Sequence, residues 1–137
     1  MSLEQNKEII LQFYKAYSQG NLEQVKEMVA PNIVVHTMGA VIVGGDDFSE
    51  HIQIMRSTFP DGYLTFEDVI AEDDKVVTRG TFTGTHRREL LGIPPTGKQV
   101  TFSVVQFDRL VDGKLVEHWV QGDTLAMMQQ LGEKNLV

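Results

Sequence analysis

Apolar residues in the first third of the chain recur at helical spacing. They lie three or four positions apart at Ile9, Ile10, Phe13, Tyr14 and Tyr17, which predicts an amphipathic helix. The segment SLEQ at residues 2–5 has the form of a capping box that begins this helix, and Gly20 ends it. Asn21 can cap a second, short helix that Pro31 stops. The sequence therefore predicts a bent pair of helices at the start of the chain.

A third helix is predicted after two short strands. The segments NIVVHTMG and AVIVGG read as strands on either side of Gly39. The segment DDFSEHIQIMRSTFP follows them, and its apolar residues share one helical face: Phe48, Ile52, Met55 and Phe59. Pro60 closes this helix.

The second half of the chain changes to the alternating pattern of β-strands. Four long runs show it: YLTFEDVIAE, KVVTRGTFTGTH, QVTFSVVQFDRLV and KLVEHWVQGD. The pair Asp112-Gly113 between the last two runs is a strong hairpin signal. A terminal helix, TLAMMQQLG, ends the pattern. Residues 1–137 are thus expected to form a single α+β domain, a curved antiparallel sheet with the helices on one face, whose mouth can hold a ligand.

Composition and charge exclude several classes of function. The chain has 137 residues and a net charge of -7, from 19 acidic and 12 basic residues. Such a charge repels phosphate backbones and anionic lipids, so neither nucleic acid nor a membrane is an expected partner. There is no cysteine, and none of the four histidines has a second ligand at metal-binding spacing, so no metal site is expected. The first ten residues do not resemble a signal peptide, which predicts a cytoplasmic protein.

The Asp112-Gly113 hairpin allows the side chains of its two strands to be assigned to faces. A two-residue turn places Val111 opposite Lys114 and predicts that one face is a ligand pocket. That face carries Phe102, Val104, Gln106, Trp119, Gln121 and Asp123. The other face carries Val105, Phe107, Arg109, Val116, His118 and Val120. Because this second face is apolar, we expect a second copy of the chain to cover it in a homodimer.

Four motifs resemble the SnoaL-like polyketide cyclases, or ester cyclases, of the NTF2-like superfamily. They are FPD at residues 59–61, GTH at 84–86, GIPPTGKQV at 92–100 and DGKLVEHWVQGDTLAMMQQLG at 112–132. The resemblance covers nearly the whole chain in the right order. It implies an NTF2-like, or cystatin-like, cone-shaped sheet with the N-terminal helices packed on its concave face. It also implies an intramolecular aldol condensation that needs no cofactor.

The resemblance also implies roles for particular residues. The family's general acid/base, an aspartate after the E-x-W segment, falls on Asp123, and a glutamine of the preceding strand falls on Gln106. The pocket-lining polar residue of the first strand falls approximately on His36. One position departs from the pattern, because the histidine expected two residues after the glutamine is Asp108 here.

Ring closure on a small hydrophobic carbonyl substrate would use these groups as follows. A carboxyl group in an apolar pocket has a raised pKa, which suits it to move a proton. Phe102 and Trp119 are the expected apolar neighbours of Asp123. The expected hydrogen-bond donors to the oxyanion are Gln106, Gln121 and His36.

Three alternatives remain open at this point. Asp123 also fits an N-cap of the terminal helix. An isomerase or an epoxide hydrolase of the same fold is the second alternative, the hydrolase requiring Asp68, Arg79 and Asp123 to point inward together. The third is a non-catalytic, dimeric ligand-binding module, in which backbone amides would fully engage Asp123.

Overall fold

A computed structural model describes residues 2–132 of the chain. Its elements, in chain order, are α1 (Leu3–Gln19), α2 (Leu22–Met28), β1 (Val29–Thr37), β2 (Ala40–Val43), α3 (Gly45–Thr58), β3 (Tyr63–Glu72), β4 (Lys75–Thr85), β5 (Gln99–Val111), β6 (Lys114–Gly122) and α4 (Thr124–Gln130). None of the helices in this part of the chain has the length and apolar character needed to cross a membrane.

The six strands form one sheet in the order β2-β1-β6-β5-β4-β3. The four long strands pair antiparallel with their sequence neighbours, which confirms the predicted α+β class. One pairing differs from the expected antiparallel sheet, because β1 runs parallel to β6. No tight turn joins these two strands, which lie at opposite ends of the chain, so connectivity does not force them to run antiparallel.

The helix boundaries follow the predicted capping signals. Ser2 and Gln5 form the capping box of α1, and Gly20 ends that helix in the left-handed region at φ 70°. A side chain with a Cβ is disfavoured in this conformation, which is why glycine suits the position. Asn21 caps α2 by accepting a hydrogen bond from the backbone N–H of Gln24. Local sequence therefore sets both ends of α1 and the start of α2. The predicted stop of α2 at Pro31 is wrong, because Val29 already pairs with Leu115 in β1 and the helix ends at Met28.

Two hydrophobic clusters hold the helices against the sheet. The larger cluster packs the inward side of α1, including Ile10 and Phe13, against buried strand residues such as Val76 and Leu115. The smaller one holds α4 against the far end of the sheet: Phe59, Leu90, Val100, Met127 and Leu131.

The β5–β6 hairpin contains a β-bulge that the sequence analysis did not predict. Val111 pairs with Lys114 as expected, and Leu110 with Leu115, but Arg109 then pairs with Glu117, which leaves Val116 without a partner. One extra residue in a strand inverts the facing of every residue after it.

The predicted faces are therefore correct for β5 and wrong for most of β6. His118 is 2% exposed and turned inward, and Val120 lines the interior with it. Trp119 is 42% exposed on the opposite side. We call that exposed side of the sheet the outer face; it also carries Val105 and Phe107.

Candidate active site

A cavity of about 600 Å³ lies between the sheet and the helices. Its walls are mainly aromatic and aliphatic. They include members of both hydrophobic clusters together with Val104 and Val120: Tyr14, Phe48, Phe59, Phe66, Phe82, Phe102, Val104, Val120 and Met127. Polar side chains among the walls include Gln106, His118 and His51. An apolar cavity with a few polar groups is typical of a small-molecule site.

Three polar side chains form a buried chain of hydrogen bonds beside this cavity. The Tyr14 hydroxyl donates to Asp108 Oδ2 at 2.6 Å, and His118 Nδ1 lies 2.5 Å from Asp108 Oδ1. The side chains of Asp108 and His118 are 0% and 3% exposed. Because α1, β5 and β6 each contribute one residue, the hydrogen-bonded chain depends on the complete fold.

The hydrogen bond to Asp108 fixes the orientation of the His118 ring. A carboxylate oxygen accepts, so Nδ1 carries the proton and the neutral ring keeps its basic lone pair on Nε2. The ring is held by Phe13, Tyr14 and Phe48, whose centroids lie 5.8, 6.2 and 5.7 Å from its own. Since His118 lines the cavity, Nε2 is the ring nitrogen left to act on a ligand.

Gln106 is oriented by a neighbour on β4. The Thr78 hydroxyl donates to Gln106 Oε1 at 3.1 Å, and both residues are buried. With its carbonyl oxygen engaged, Gln106 has its amide N–H groups left to donate. Gln106 therefore supplies a hydrogen-bond donor to the cavity.

The cavity environment alters the titration of two further groups. Burial, followed by the charge of Asp108, raises the pKa of Tyr14 well above its ordinary value, so its hydroxyl stays protonated as a donor. Burial, followed by the electrostatic influence of the His118 imidazole, lowers the pKa of His51. Both histidines line the cavity.

The structure places the sequence-predicted pocket residues in different environments. Phe102 and Gln106 line the cavity, and Gln121 reaches its edge with an exposed side chain. The prediction that Trp119 and His36 face the pocket is wrong. Their rings stack on the outer face with centroids 3.5 Å apart and planes at 11°, because the bulge turns Trp119 outward and His36 pairs with it on β1.

Asp123 is also outside the cavity lining. It is the N-cap of α4, where its Oδ1 accepts a hydrogen bond of 3.0 Å from the backbone N–H of Ala126. Its side chain is exposed. The prediction that this carboxyl group points into the apolar pocket is wrong, and the alternative of a helix cap describes its position.

The Asp-Arg-Asp set of the epoxide hydrolase alternative is not assembled. Arg79 and Asp68 form an ion pair at 2.7 Å, with side chains 57% and 48% exposed. Neither lines the cavity, and Asp123 lies at the start of α4. That set therefore cannot hold a water against a bound substrate.

The positions of Asp108 and His118 beside the cavity were not predicted from the sequence. His118 was placed on the partner face by an unbroken alternation along β6. Asp108, however, shares the inward face of β5 with Gln106 and Val104, as its position in the alternation requires. A carboxylate on an apolar strand face needs a buried partner, and that requirement is the signal that could have identified His118.

Within residues 2–132, no three His, Cys, Asp or Glu side chains are grouped so that they could hold a metal ion.

Comparisons with known proteins agree on one family. A family model described as SnoaL-like polyketide cyclase matches residues 8–131. Nogalonic acid methyl ester cyclase of Streptomyces nogalater is 26% identical over 133 residues, with 86% of this chain and 90% of the relative covered. Aklanonic acid methyl ester cyclase DnrD of Streptomyces peucetius is 24% identical, with 92% and 90% covered.

A solved structure is similar over nearly the whole chain. The crystal structure of AclR from Streptomyces galilaeus, a candidate hydroxylase, superposes with a TM-score of 0.82 at 30% identity. The match covers 96% of this chain and 98% of AclR. The family resemblance read from the sequence motifs is thereby confirmed.

Proposed function

Because this chain belongs to the SnoaL-like polyketide cyclase family, we propose that it closes a ring on a polyketide-like carbonyl substrate, with His118 as the acid/base. The observation that carries the assignment of His118 is its hydrogen bond to the buried Asp108 at the wall of the apolar cavity. The two relatives named as methyl ester cyclases supply the substrate class.

The proposed reaction is an intramolecular aldol closure. His118 Nε2 removes a proton from a carbon beside one carbonyl group, and Asp108 stabilises the imidazolium that forms. The resulting carbanion attacks a second carbonyl carbon of the same molecule, forming the ring C–C bond and leaving negative charge on that oxygen. The Gln106 amide donates a hydrogen bond to this oxyanion. His118 then returns the proton to the oxygen, so the reaction consumes no other reagent.

Tyr14 acts in this scheme as a positioning residue. Its hydroxyl donates to the Asp108 oxygen that His118 does not use, so the carboxylate has a fixed orientation toward the imidazole. Because its pKa is raised by burial and by Asp108, the phenol does not compete with His118 for protons.

The test uses nogalonic and aklanonic acid methyl esters as substrates and follows the cyclised products by chromatography. His118→Asn keeps a donor toward Asp108 but removes the base, and should lower turnover by about 100-fold or more. His36→Gln is the matched control, since His36 lies on the outer face, and should turn over like the wild type. Full activity in His118→Asn would contradict the proposal.

A non-catalytic ligand-binding module is the second candidate function. This alternative expects backbone amides to engage Asp123 fully, and one of them, the N–H of Ala126, donates to its Oδ1. The two functions differ in a direct measurement. If both esters bind to the wild type and neither is converted, the binding module is the correct description.

The homodimer stays a prediction, and its proposed surface changes. His118 and Val120 face the cavity and cannot contribute, whereas Trp119 joins Val105 and Phe107 on the outer face, the latter two 36% and 46% exposed. Light scattering of the wild type and of Phe107→Lys tests it. A monomer mass for the wild type at every concentration would exclude the dimer.

A further inference from the structure

The proposed ring closure forms two oxyanions in succession, and Gln106 serves the second of them. When the C–H bond breaks, its proton goes to His118 and its electron pair is delocalised onto the first carbonyl oxygen as an enolate. An oxyanion in an apolar cavity is costly without a hydrogen bond. We propose that His51 is a second catalytic residue, whose ring donates a hydrogen bond to this enolate oxygen. Because the enolate belongs to the aldol closure, this role of His51 rests on the proposed function.

The position of His51 on α3 brings it close to the base. Phe48 lies three positions earlier on the same helix, so the two side chains are neighbours on the helix surface. Both line the cavity. The Phe48 ring packs against the His118 ring, with centroids 5.7 Å apart. His51 is therefore about one helical turn from a residue that contacts the base.

The base and the Gln106 amide come from the sheet rather than from a helix. Gln106 and Asp108 are two positions apart on β5 and share its inward face, and Asp108 pairs with His118 on β6. A substrate between the sheet and α3 thus has the base and one donor on the sheet side and His51 on the helical side. Its enolisable carbonyl meets His51 while its second carbonyl meets Gln106.

The His51 ring is available to a ligand. In residues 2–132, the hydrogen bonds of histidine rings are those of His86 and His118. The ion pairs of histidine in the same residues are those of His36 and His118. The His51 side chain is partly buried at the cavity wall. A substrate oxygen therefore would not have to displace a protein acceptor from its N–H.

The charge state of His51 suits a donor beside a second histidine. Burial, followed by the electrostatic influence of His118, holds the pKa of His51 below its ordinary value, so the ring is neutral at pH 7 and carries one N–H. Proton abstraction places a positive charge on His118. A neutral His51 can stabilise the enolate without adding a like charge next to that imidazolium.

Other polar groups of the lining are less suited to this role. The Tyr14 hydroxyl already donates to Asp108 at 2.6 Å. Lys15, Arg56 and Gln121 have exposed side chains at the cavity edge, where water competes for their hydrogen bonds. A partly buried donor such as His51 faces less of this competition.

Exchange of the substrate α-proton with deuterated water reports enolate formation separately from ring closure. The experiment uses nogalonic acid methyl ester and the variant Gln106→Leu, in which ring closure is slowed and the enolate returns to deuterated ester. Mass spectrometry of the recovered ester gives the exchange rate above that in buffer alone. In this background His51→Leu should slow exchange by about 100-fold, the usual effect of removing one oxyanion donor. His51→Gln keeps an N–H donor and should slow it by about tenfold or less.

Turnover of the single variants gives a second readout. Ring closure followed by chromatography should fall about 100-fold in His51→Leu and about tenfold or less in His51→Gln. The loss should appear in kcat with little change in KM, because the enolate oxygen is charged only after proton removal. Gln53→Leu is the matched control, at an exposed position of α3 outside the lining, and should turn over like the wild type. Circular dichroism checks folding, and His51→Ala replaces His51→Leu if the latter does not fold.

Three results would overturn the role of His51. The first is unchanged exchange or full turnover in His51→Leu. The second is an equal loss in His51→Gln and His51→Leu, because a donor role predicts rescue by the amide. The third is a loss of exchange in Tyr17→Phe with normal exchange in His51→Leu, which would assign the donor to Tyr17, another residue of the lining.

His118→Asn in the Gln106→Leu background distinguishes the role of His51 from the proposed function. If His118→Asn abolishes exchange and His51→Leu does not, only the role of His51 is wrong. If His51→Leu abolishes exchange and His118→Asn does not, the role of His118 is wrong and the donor role of His51 holds.

Discussion

Replacing Tyr14 with phenylalanine removes one atom from the buried hydrogen-bonded chain. The lost hydroxyl donates to Asp108 Oδ2 at 2.6 Å, and the Asp108 side chain is 0% exposed. The ring remains in contact with Phe13 and Phe66, so packing changes little. The substitution therefore tests the hydrogen bond rather than the hydrophobic core.

The magnitude follows from the charge and burial of the acceptor. A hydrogen bond to a charged group contributes about 1.5–3 kcal/mol, and no water replaces the donor easily at this depth. Asp108 keeps its bond to His118, so the loss is partial. We expect Tyr14→Phe to lower the free energy of unfolding by about 2 kcal/mol, out of the roughly 5–15 kcal/mol that a domain has.

Urea denaturation followed by circular dichroism measures this loss. With a slope of about 2 kcal/mol/M, the midpoint should move by about 1 M. The matched control is Tyr17→Phe on the same helix, because in residues 2–132 the Tyr17 hydroxyl makes no hydrogen bond to another side chain or backbone group. The control should cost well under 1 kcal/mol. If Tyr14→Phe costs no more than Tyr17→Phe, the hydrogen bond to Asp108 does not stabilise the fold.

Three further predictions follow from the same contacts. The folded-state pKa of Tyr14 and of Tyr17 is raised above 10.0, so the free energy of unfolding should be at its full value below pH 10 and fall as the pH rises above 10. The fall should be less steep in Tyr17→Phe, and a urea midpoint that does not change with pH would contradict the prediction. Asp123→Ala should lower the free energy of unfolding by about 1 kcal/mol through the lost helix cap, and Asp123→Asn should lower it much less. Both variants should retain ester turnover; a loss of turnover in Asp123→Asn would restore Asp123 as the acid/base. Deleting Val116 should remove the bulge and leave the other residues of β6 paired as they are. The fluorescence emission of Trp119 should then stay that of an exposed indole, and a blue shift would show that the register had slipped.

The elements of this fold are readable from the sequence because local signals specify them. The bounds of β3 and β5 are those predicted from alternation alone, and Ser2 and Asn21 cap the helices as their residue types predict. The hairpin at Asp112-Gly113 also forms as expected, with φ of 50° and 76° at the two turn residues. Each of these features depends on neighbours within a few positions.

The site is less readable because it depends on contacts between distant segments. Tyr14 and Asp108 are 94 positions apart, and nothing in the helical pattern of α1 distinguishes a hydrogen-bonding tyrosine from a packing one. The bulge had a larger effect on the predicted site than this separation did, because one unpaired residue places His118 in the cavity and turns Trp119 away from it. Alternation predicts a face only while the register is unbroken.

Electrostatics explains why the hairpin adopts the bulged register. Without the bulge, Asp108 would face Glu117 directly on the buried side, where like charges repel and each carboxylate loses its hydration. With it, Asp108 faces His118, and Arg109 Nε lies 3.4 Å from Glu117 Oε1. A bulge forfeits a ladder hydrogen bond worth about 1 kcal/mol, whereas burying an unpaired carboxylate costs several kcal/mol. The interaction that selects the register is therefore the same one that places an imidazole in the cavity.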